Sequence, residues 1–273
     1  MTGLTFRLKT VPPWRLDMAP LTPDRLAGVE PRAISRIALL SGNKRIPAGD
    51  LFEVVAGDPA DIRILDSNDK LDFIGRDMAS GRITVEGDAG AYCGLNLAGG
   101  ELIVRGNVGD YAASGMTGGR FEATGNAGDH FGGALPGEMR GMSGGTAVIH
   151  GKSGQRLGDR MRRGTIIVEG DIGAYAASRM IAGTIIALGS SAGAYPGFGM
   201  KRGTLILRGE AERELPTFGD CGRHELAFLN LLLLQLRNVS QRLDQFAAQP
   251  KIVHRRVGDQ AAGGKGEILN WRG

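Results

Sequence analysis

The chain has 273 residues, a formal net charge of +4 and a pI near 9.3, a length that builds a sizeable core without disulfides or metals. Lys and Arg are scattered with no aromatic platform interleaved, which argues against nucleic-acid binding. Its two cysteines, Cys93 and Cys221, stand far apart and outside any C-x-x-C, which excludes a disulfide framework or an iron–sulfur cluster held wholly by this chain and fits a reducing cytoplasm.

Residues 1–57 read as an N-terminal cap segment. "MTGLTFRLKTVPPW" has no apolar run behind its charges, so no secretion signal is expected. Its "LTFRLK" alternates like a strand, a short helix starts at Thr22 with Pro23 in its first position and stops at Gly28, and "DLFEVV" reads as extended. Ala60 to Gly75 reads as a degenerate first coil of a repeat.

Residues 58–210 carry that repeat. Gly81, Gly100 and Gly119 are nineteen apart, as are Gly145, Gly164 and Gly183, and Gly203 comes after twenty. The one longer interval, Gly119 to Gly145, holds seven extra residues, placed in "LPGEMRG" from Leu135 to Gly141. Met78, Met116, Met142, Met161, Met180 and Met200 stand three positions before these glycines, with Leu97 as the apolar substitute. Between glycines lie short β-prone segments: "RITVE", "ELIVR", "RFEAT", "TAVIH", "TIIVE", "TIIAL" and "TLILR". One strand and one glycine corner per nineteen residues suits a coil of an all-β, right-handed parallel β-helix, with coils stacked about 4.8 Å apart and Met and Leu forming an inward ladder. The glycines supply tight corners and close approach of neighbouring backbones, and the two ends need covers.

Residues 211–273 read as a C-terminal helix and tail. From Glu225 to Ala248, Leu226, Leu229, Leu233, Leu236 and Leu243 recur at helical spacing, with Ser240 interrupting and a second apolar edge at Phe228, Leu231, Leu232 and Leu234. This helix is expected on the open end of the rod or in a partner subunit, with Leu226, Leu229, Leu233 and Leu236 as the partner-facing residues. Its apolar run is about half the length that spans a bilayer, so no membrane association is expected. The glycine-bearing tail reads as mobile, with "EILNW" able to dock.

No stretch carries a catalytic signature. In "GDAGAYCG" each glycine loop leads into another strand, whereas dinucleotide binding requires a helix there. "HGKSG", from His150 to Gly154, misses a phosphate loop by one residue, because the first glycine would fall on Thr146. Lys152 shares its repeat position with Asp88, Asn107, Asn126 and Asp171, which read as turn residues bonding their own backbone and make a poor cation ladder. Cys221, His224 and Glu225 cluster, but they lack the second ligand pair of a zinc site. No catalytic, cofactor or metal residue is therefore assigned to this chain.

The spacing G-x-x-G-x-x-x-G is complete at Gly87-Gly90-Gly94, Gly125-Gly128-Gly132 and Gly151-Gly154-Gly158. At Gly106-Gly109 and Gly170-Gly173, Ala113 or Ala177 ends the motif, a change expected to matter little sterically. The repeat resembles the β-helical domain shared by the C-terminal part of glutamate synthase and the C subunit of formylmethanofuran dehydrogenase. Chain length and flanks look like a stand-alone C subunit, and the Ala- and Arg-rich, Cys-poor composition looks more like the bacterial formyltransferase/hydrolase complex of methylotrophs. The archaeal molybdenum or tungsten dehydrogenase is the alternative, and a glutamate synthase-like accessory protein a further one.

That resemblance implies a non-catalytic scaffold. Hydrolysis would lie on an amidohydrolase-like A subunit and transfer on a formyltransferase D subunit, with a B subunit beside them. The complex would use a methanofuran-type carrier and tetrahydromethanopterin, with metals on other subunits. Within this reading Arg156, Arg160, Arg162 and Arg163 would face an acidic partner surface or a polyglutamate chain on the carrier.

Overall fold

The structure, a computed structural model, describes residues 2–271. It is mostly β, built on one thirteen-stranded, largely parallel sheet. The N-terminal segment supplies β1 (Gly3–Leu8), β2 (Leu16–Asp17), α1 (Pro23–Leu26), α2 (Pro31–Ile34), β3 (Ala38–Ser41), β4 (Lys44–Pro47), α3 (Ala48–Leu51) and β5 (Phe52–Val55). Thr22 does precede α1 with Pro23 at its first turn. Asp50 and Leu51 of "DLFEVV" are helical, however, because they close α3 before the chain extends.

The repeat region contributes β6 (Asp58–Ser67), β7 (Leu71–Asp72), β8 (Arg82–Gly87), β9 (Glu101–Arg105), β10 (Arg120–Ala123), β11 (Ser143–Ile149), β12 (Arg163–Val168), β13 (Thr184–Ala187), β14 (Ser191–Ala192), β15 (Thr204–Leu207) and β16 (Glu210–Ala211). The nineteen-residue interval becomes a register: Thr84, Ile103, Glu122, Val148, Ile167, Ile186 and Ile206 stand side by side in consecutive parallel strands. A second parallel ladder runs through Ala89, Val108, Ala127, Ser153, Ile172 and Ala192. The chain passes through both ladders once per repeat, so each repeat is one coil. The seven extra residues bulge outward with Met139 63% exposed, and β10 and β11 still pair without a shift over Arg120–Ala123.

Inside the coils lie Leu102, Val104, Phe121, Ile166 and Ile185 from the strands, Cys93, Phe131 and Leu157 from the corners, and the whole methionine column. The reason for glycine beside that column is specific. At Gly145, where φ is +81°, an added Cβ would stand 2.5 Å from the Met116 methyl, so each methionine is seated on the bare backbone of the next coil. Ala113 and Ala177 correct one expectation. Both occupy left-handed backbone, φ +55° and +58°, so alanine there carries about 1–2 kcal/mol of strain that glycine avoids.

The ends are covered by added strands. β1 joins β6 in parallel and β5 joins β1 antiparallel. At the other end β17 (Gly219–Glu225), α4 (Ala227–Gln235), α5 (Gln241–Ala247), β18 (Ile252–Gly258) and β19 (Gly266–Trp271) complete the described chain. The "EILNW" segment expected to dock does so as the next strand of the sheet, β19 pairing with β15 in parallel with Trp271 fully buried. The glycine-bearing stretch before it, expected to be mobile, forms β18 and a short 3-10 turn. The expected single helix is two, because the Ser240 hydroxyl accepts the Leu243 N–H and caps α5.

Those helices lie against the side of the sheet and leave the end of the rod to the β17–β19 strands. Leu229, Leu233, Leu236, Leu243 and Phe246 form a second core with the outward residues Val148, Ile167, Ile186, Ile206 and Leu269. The expected partner face of Leu226, Leu229, Leu233 and Leu236 is thus corrected: the last three are buried within this chain and Leu226 packs against the same core. The physical reason is in β11–β15, whose apolar residues face both ways and need a cover on the outside as well.

Candidate interaction surfaces

Three surfaces stand out, the first two generated by columns of the repeat and the third by the seam where α5 meets the sheet. The first is the acidic and amide corner. Asp88 Oδ1 accepts the Asn107 N–H at 2.7 Å, Asn107 Oδ1 the Asn126 N–H at 2.8 Å, Asn126 Oδ1 the Lys152 N–H at 2.8 Å, and Asp171 Oδ1 the Ser190 N–H at 3.0 Å. These side chains bond the next coil's backbone, where the sequence suggested their own. Lys152, unable to accept, places its ammonium 3.1 Å from Asp171. The column thereby satisfies corner amides and locks coil to coil.

The second surface is a ladder of rings that sequence reasoning missed. Phe73, Tyr92, Tyr111, His130, Arg156, Tyr175 and Tyr195 recur at one repeat position, all with φ between +56° and +61°. Phe73 stacks on Tyr92 at 4.8 Å, Tyr92 on Tyr111 at 5.5 Å and Tyr111 on His130 at 4.6 Å. The Arg156 guanidinium lies over Tyr175 at 5.1 Å. Burial holds the His130 pKa below its ordinary value, so the ring is neutral near pH 7 and stacks without repelling Arg156. The nineteen-residue spacing of tyrosines was the available signal.

The third surface is the seam between sheet and helices. His150 lies between two carboxylates, Nε2 3.1 Å from Glu122 and Nδ1 3.1 Å from Glu169. Glu122 also pairs with Arg120 at 2.6 Å, and the Ser240 hydroxyl donates to Glu169 at 2.5 Å. Burial alone would lower the His150 pKa, but hydrogen bonds to the two carboxylates hold it above its ordinary value. With both ring nitrogens and the serine hydroxyl engaged, this group is a clamp that ties α5 to the sheet.

The clamp gives stability a pH dependence of definite sign. The folded-state pKa of His150 is raised, so its contribution is full below about pH 6.5, the unfolded value, while the carboxylates stay ionised, and it is lost as pH rises through the folded pKa. The lowered Glu122 pKa means that the carboxylate side is lost only in acid. His150→Gln is expected to cost about 1 kcal/mol at pH 6 and progressively less toward pH 9. Urea midpoints of both proteins at the two pH values check this, and a difference that grows with pH would contradict it.

The four arginines do not form one cluster. Arg156 belongs to the ring ladder, and Arg160 Nη1 reaches Met139 of the insertion at 2.6 Å. Arg162 donates its backbone N–H to Met142, and Arg163 is exposed at the start of β12. Between them Asp159 is buried by Ser178 and Arg179. Cys221, His224 and Glu225 lie along the exposed β17, and His254 pairs with Asp220 at 2.6 Å. Among the described residues no three His, Cys, Asp or Glu side chains are grouped to share a cation.

Exposed apolar side chains concentrate on α4, where Phe228, Leu231 and Leu234 are 39%, 71% and 61% exposed beside their buried neighbours. No described helix is long and apolar enough to cross a membrane.

No family model matches the chain, and no curated protein matches it in sequence. Among solved structures, the formyltransferase/hydrolase complex (FhcABCD) from Methylorubrum extorquens, in complex with methylofuran, contains a chain similar to this one. The two share 38% sequence identity with a TM-score of 0.90, over 97% of this chain and 98% of that one.

Proposed function

This chain belongs to the family of that subunit of the formyltransferase/hydrolase complex, and from this premise we propose that it is the C subunit of such a complex. In this reading it is a non-catalytic scaffold in tetrahydromethanopterin- and methanofuran-linked one-carbon metabolism of the cytoplasm. It holds an amidohydrolase-like A subunit, a B subunit and a formyltransferase D subunit, and metals and the methylofuran-type carrier are bound by the assembly. The coils wind as a right-handed parallel β-helix, whose rigid sides give each partner a fixed station.

The observation that carries this reading is the match across nearly the whole of both chains at 38% identity. It is supported by the clamp chemistry of His150 and by the exposed row Phe228, Leu231 and Leu234, an apolar patch suited to a partner. Arg156, Arg160, Arg162 and Arg163 lie apart on one coil, and each is assigned a separate contact with an acidic partner surface or carrier chain, the exposed Arg163 first among them.

Affinity isolation of the chain from its host, with mass spectrometry of what accompanies it, tests the proposal. Recovery of an amidohydrolase and a formyltransferase is expected. The double variant Leu231→Asp/Leu234→Asp should lose a partner by tenfold or more with an unchanged melting temperature, since both side chains are already solvated in the free chain. Replacing the four arginines by alanine should weaken assembly or turnover. Molybdenum or tungsten iron–sulfur partners, glutaminase partners, or none at all would overturn the assignment.

A further inference from the structure

Beside the sheet–helix seam lies an open surface cavity of about 220 Å³, with buried Leu188 and Phe246 as its floor and exposed Arg208, Arg242, Gln245 and Gln249 as its walls. Its make-up comes from local structure. Arg242, Gln245, Phe246 and Gln249 are spaced at three, four and seven, so they form one stripe of α5 and its end. Arg208 is the residue after the end of β15, and Leu188 the residue after the end of β13. Phe246, packed on Trp271 at 4.4 Å between ring centroids, makes an apolar back wall.

The donors and acceptors do not balance. Arg208 Nη1 and Arg242 Nη2 both approach the same Leu188 carbonyl oxygen, each at 3.4 Å, the long limit of a hydrogen bond. Among the described residues no Asp or Glu lines the cavity, so no carboxylate of its described wall stands between the two guanidinium groups. Two permanently charged, solvent-exposed guanidinium groups thus converge on one neutral acceptor, each with further N–H donors directed to solvent.

We propose that this cavity is a carboxylate site that takes one acidic side chain of an extended peptide segment from another protein chain. Planar guanidinium forks match a carboxylate in bidentate fashion. Gln245 and Gln249 each offer a donor and an acceptor, which suits the peptide amides that flank an acidic side chain. The assignment rests on side chains of this protein alone and holds whichever partner the scaffold reading supplies.

The probes are acetyl-Ala-Glu-Ala-amide, its neutral counterpart acetyl-Ala-Gln-Ala-amide, and inorganic phosphate. Binding is read from the arginine Nε–Hε resonances of the full-length chain by NMR. Saturable shifts at Arg208 and Arg242 are expected with the Glu peptide, at least tenfold weaker with the Gln peptide, and lost in Arg208→Gln/Arg242→Gln. That variant should melt within a degree or two of the parent, because both side chains are exposed and each makes only a long bond to the Leu188 carbonyl, so lost binding is distinguishable from lost folding. Equal shifts with phosphate would reduce the cavity to a general anion site and overturn the peptide assignment. So would unsaturable shifts, or shifts retained in the variant.

Discussion

Gly151→Val is expected to destabilise the protein by about 3–5 kcal/mol, more than ordinary overpacking, because a side chain there would strike the preceding coil's backbone and the Asn126 amide of the corner ladder. A Cβ at Gly151 would stand 2.4 Å from Asn126 Oδ1 and 2.5 Å from the Gly125 carbonyl oxygen. Neither can move without breaking the corner ladder, in which Gly151 also donates its N–H to Gly125. The coils would have to part locally, and each coil's stability depends on its neighbours. Gly137→Ala is the control, for it has φ +85° and nothing within 4 Å of its Cβ position, so only backbone strain of about 1–2 kcal/mol applies. Chemical-denaturation midpoints of the two variants measure the contrast. Equal losses would mean that coil spacing does not impose the glycines.

Trp271→Ala is expected to cost about 3–5 kcal/mol, the range for deleting a large buried aromatic side chain. Trp271 is fully buried, packs on Phe246 and donates its indole N–H to the Pro250 carbonyl at 2.7 Å. It joins β19 to the helices and to the outward residues of the sheet. The loss should be local. Hydrogen exchange should show α4, α5 and the β17–β19 strands losing protection while β8–β10 keep theirs, as nearest-neighbour coupling along stacked coils requires. Uniform loss across all coils would show a single cooperative unit instead.

Much of this fold was legible because the coil is short and repeated. Glycine and methionine at nineteen-residue spacing give strand positions, corners and an inner column, since every coil solves the same packing problem. The C-terminal helices were harder to place, although a signal existed. "RITVE" and "RFEAT" alternate, as strands with one solvated face do, whereas "TIIVE", "TIIAL" and "TLILR" are apolar on both faces. That change along the rod marks where a cover must lie, and α4 and α5 lie there. It also reverses the faces of α4: Leu229 and Leu233 go to the sheet, and Leu231 and Leu234 to solvent.

The interaction surfaces were less legible, because they depend on which residues sit side by side across coils. His150 is uninformative in sequence; its role comes from Glu122, twenty-eight residues earlier, and Glu169 on the next coil. Arg208 and Arg242 meet only because the seam brings a strand end to a helix turn. The aromatic ladder, by contrast, was readable in the interval from Tyr92 to Tyr111 and from Tyr175 to Tyr195, and only its outward stacking required the structure.

We propose that this chain organises catalytic subunits and does no chemistry of its own. This claim is tested most directly by assembling the other subunits of the complex with and without the chain, and measuring formyl transfer, hydrolysis and assembly mass. The account predicts no turnover by the isolated chain, and without it a smaller assembly with impaired coupling of the two reactions. Formyl transfer or hydrolysis by the purified chain alone, or a complex of otherwise full mass and activity without it, would contradict that claim.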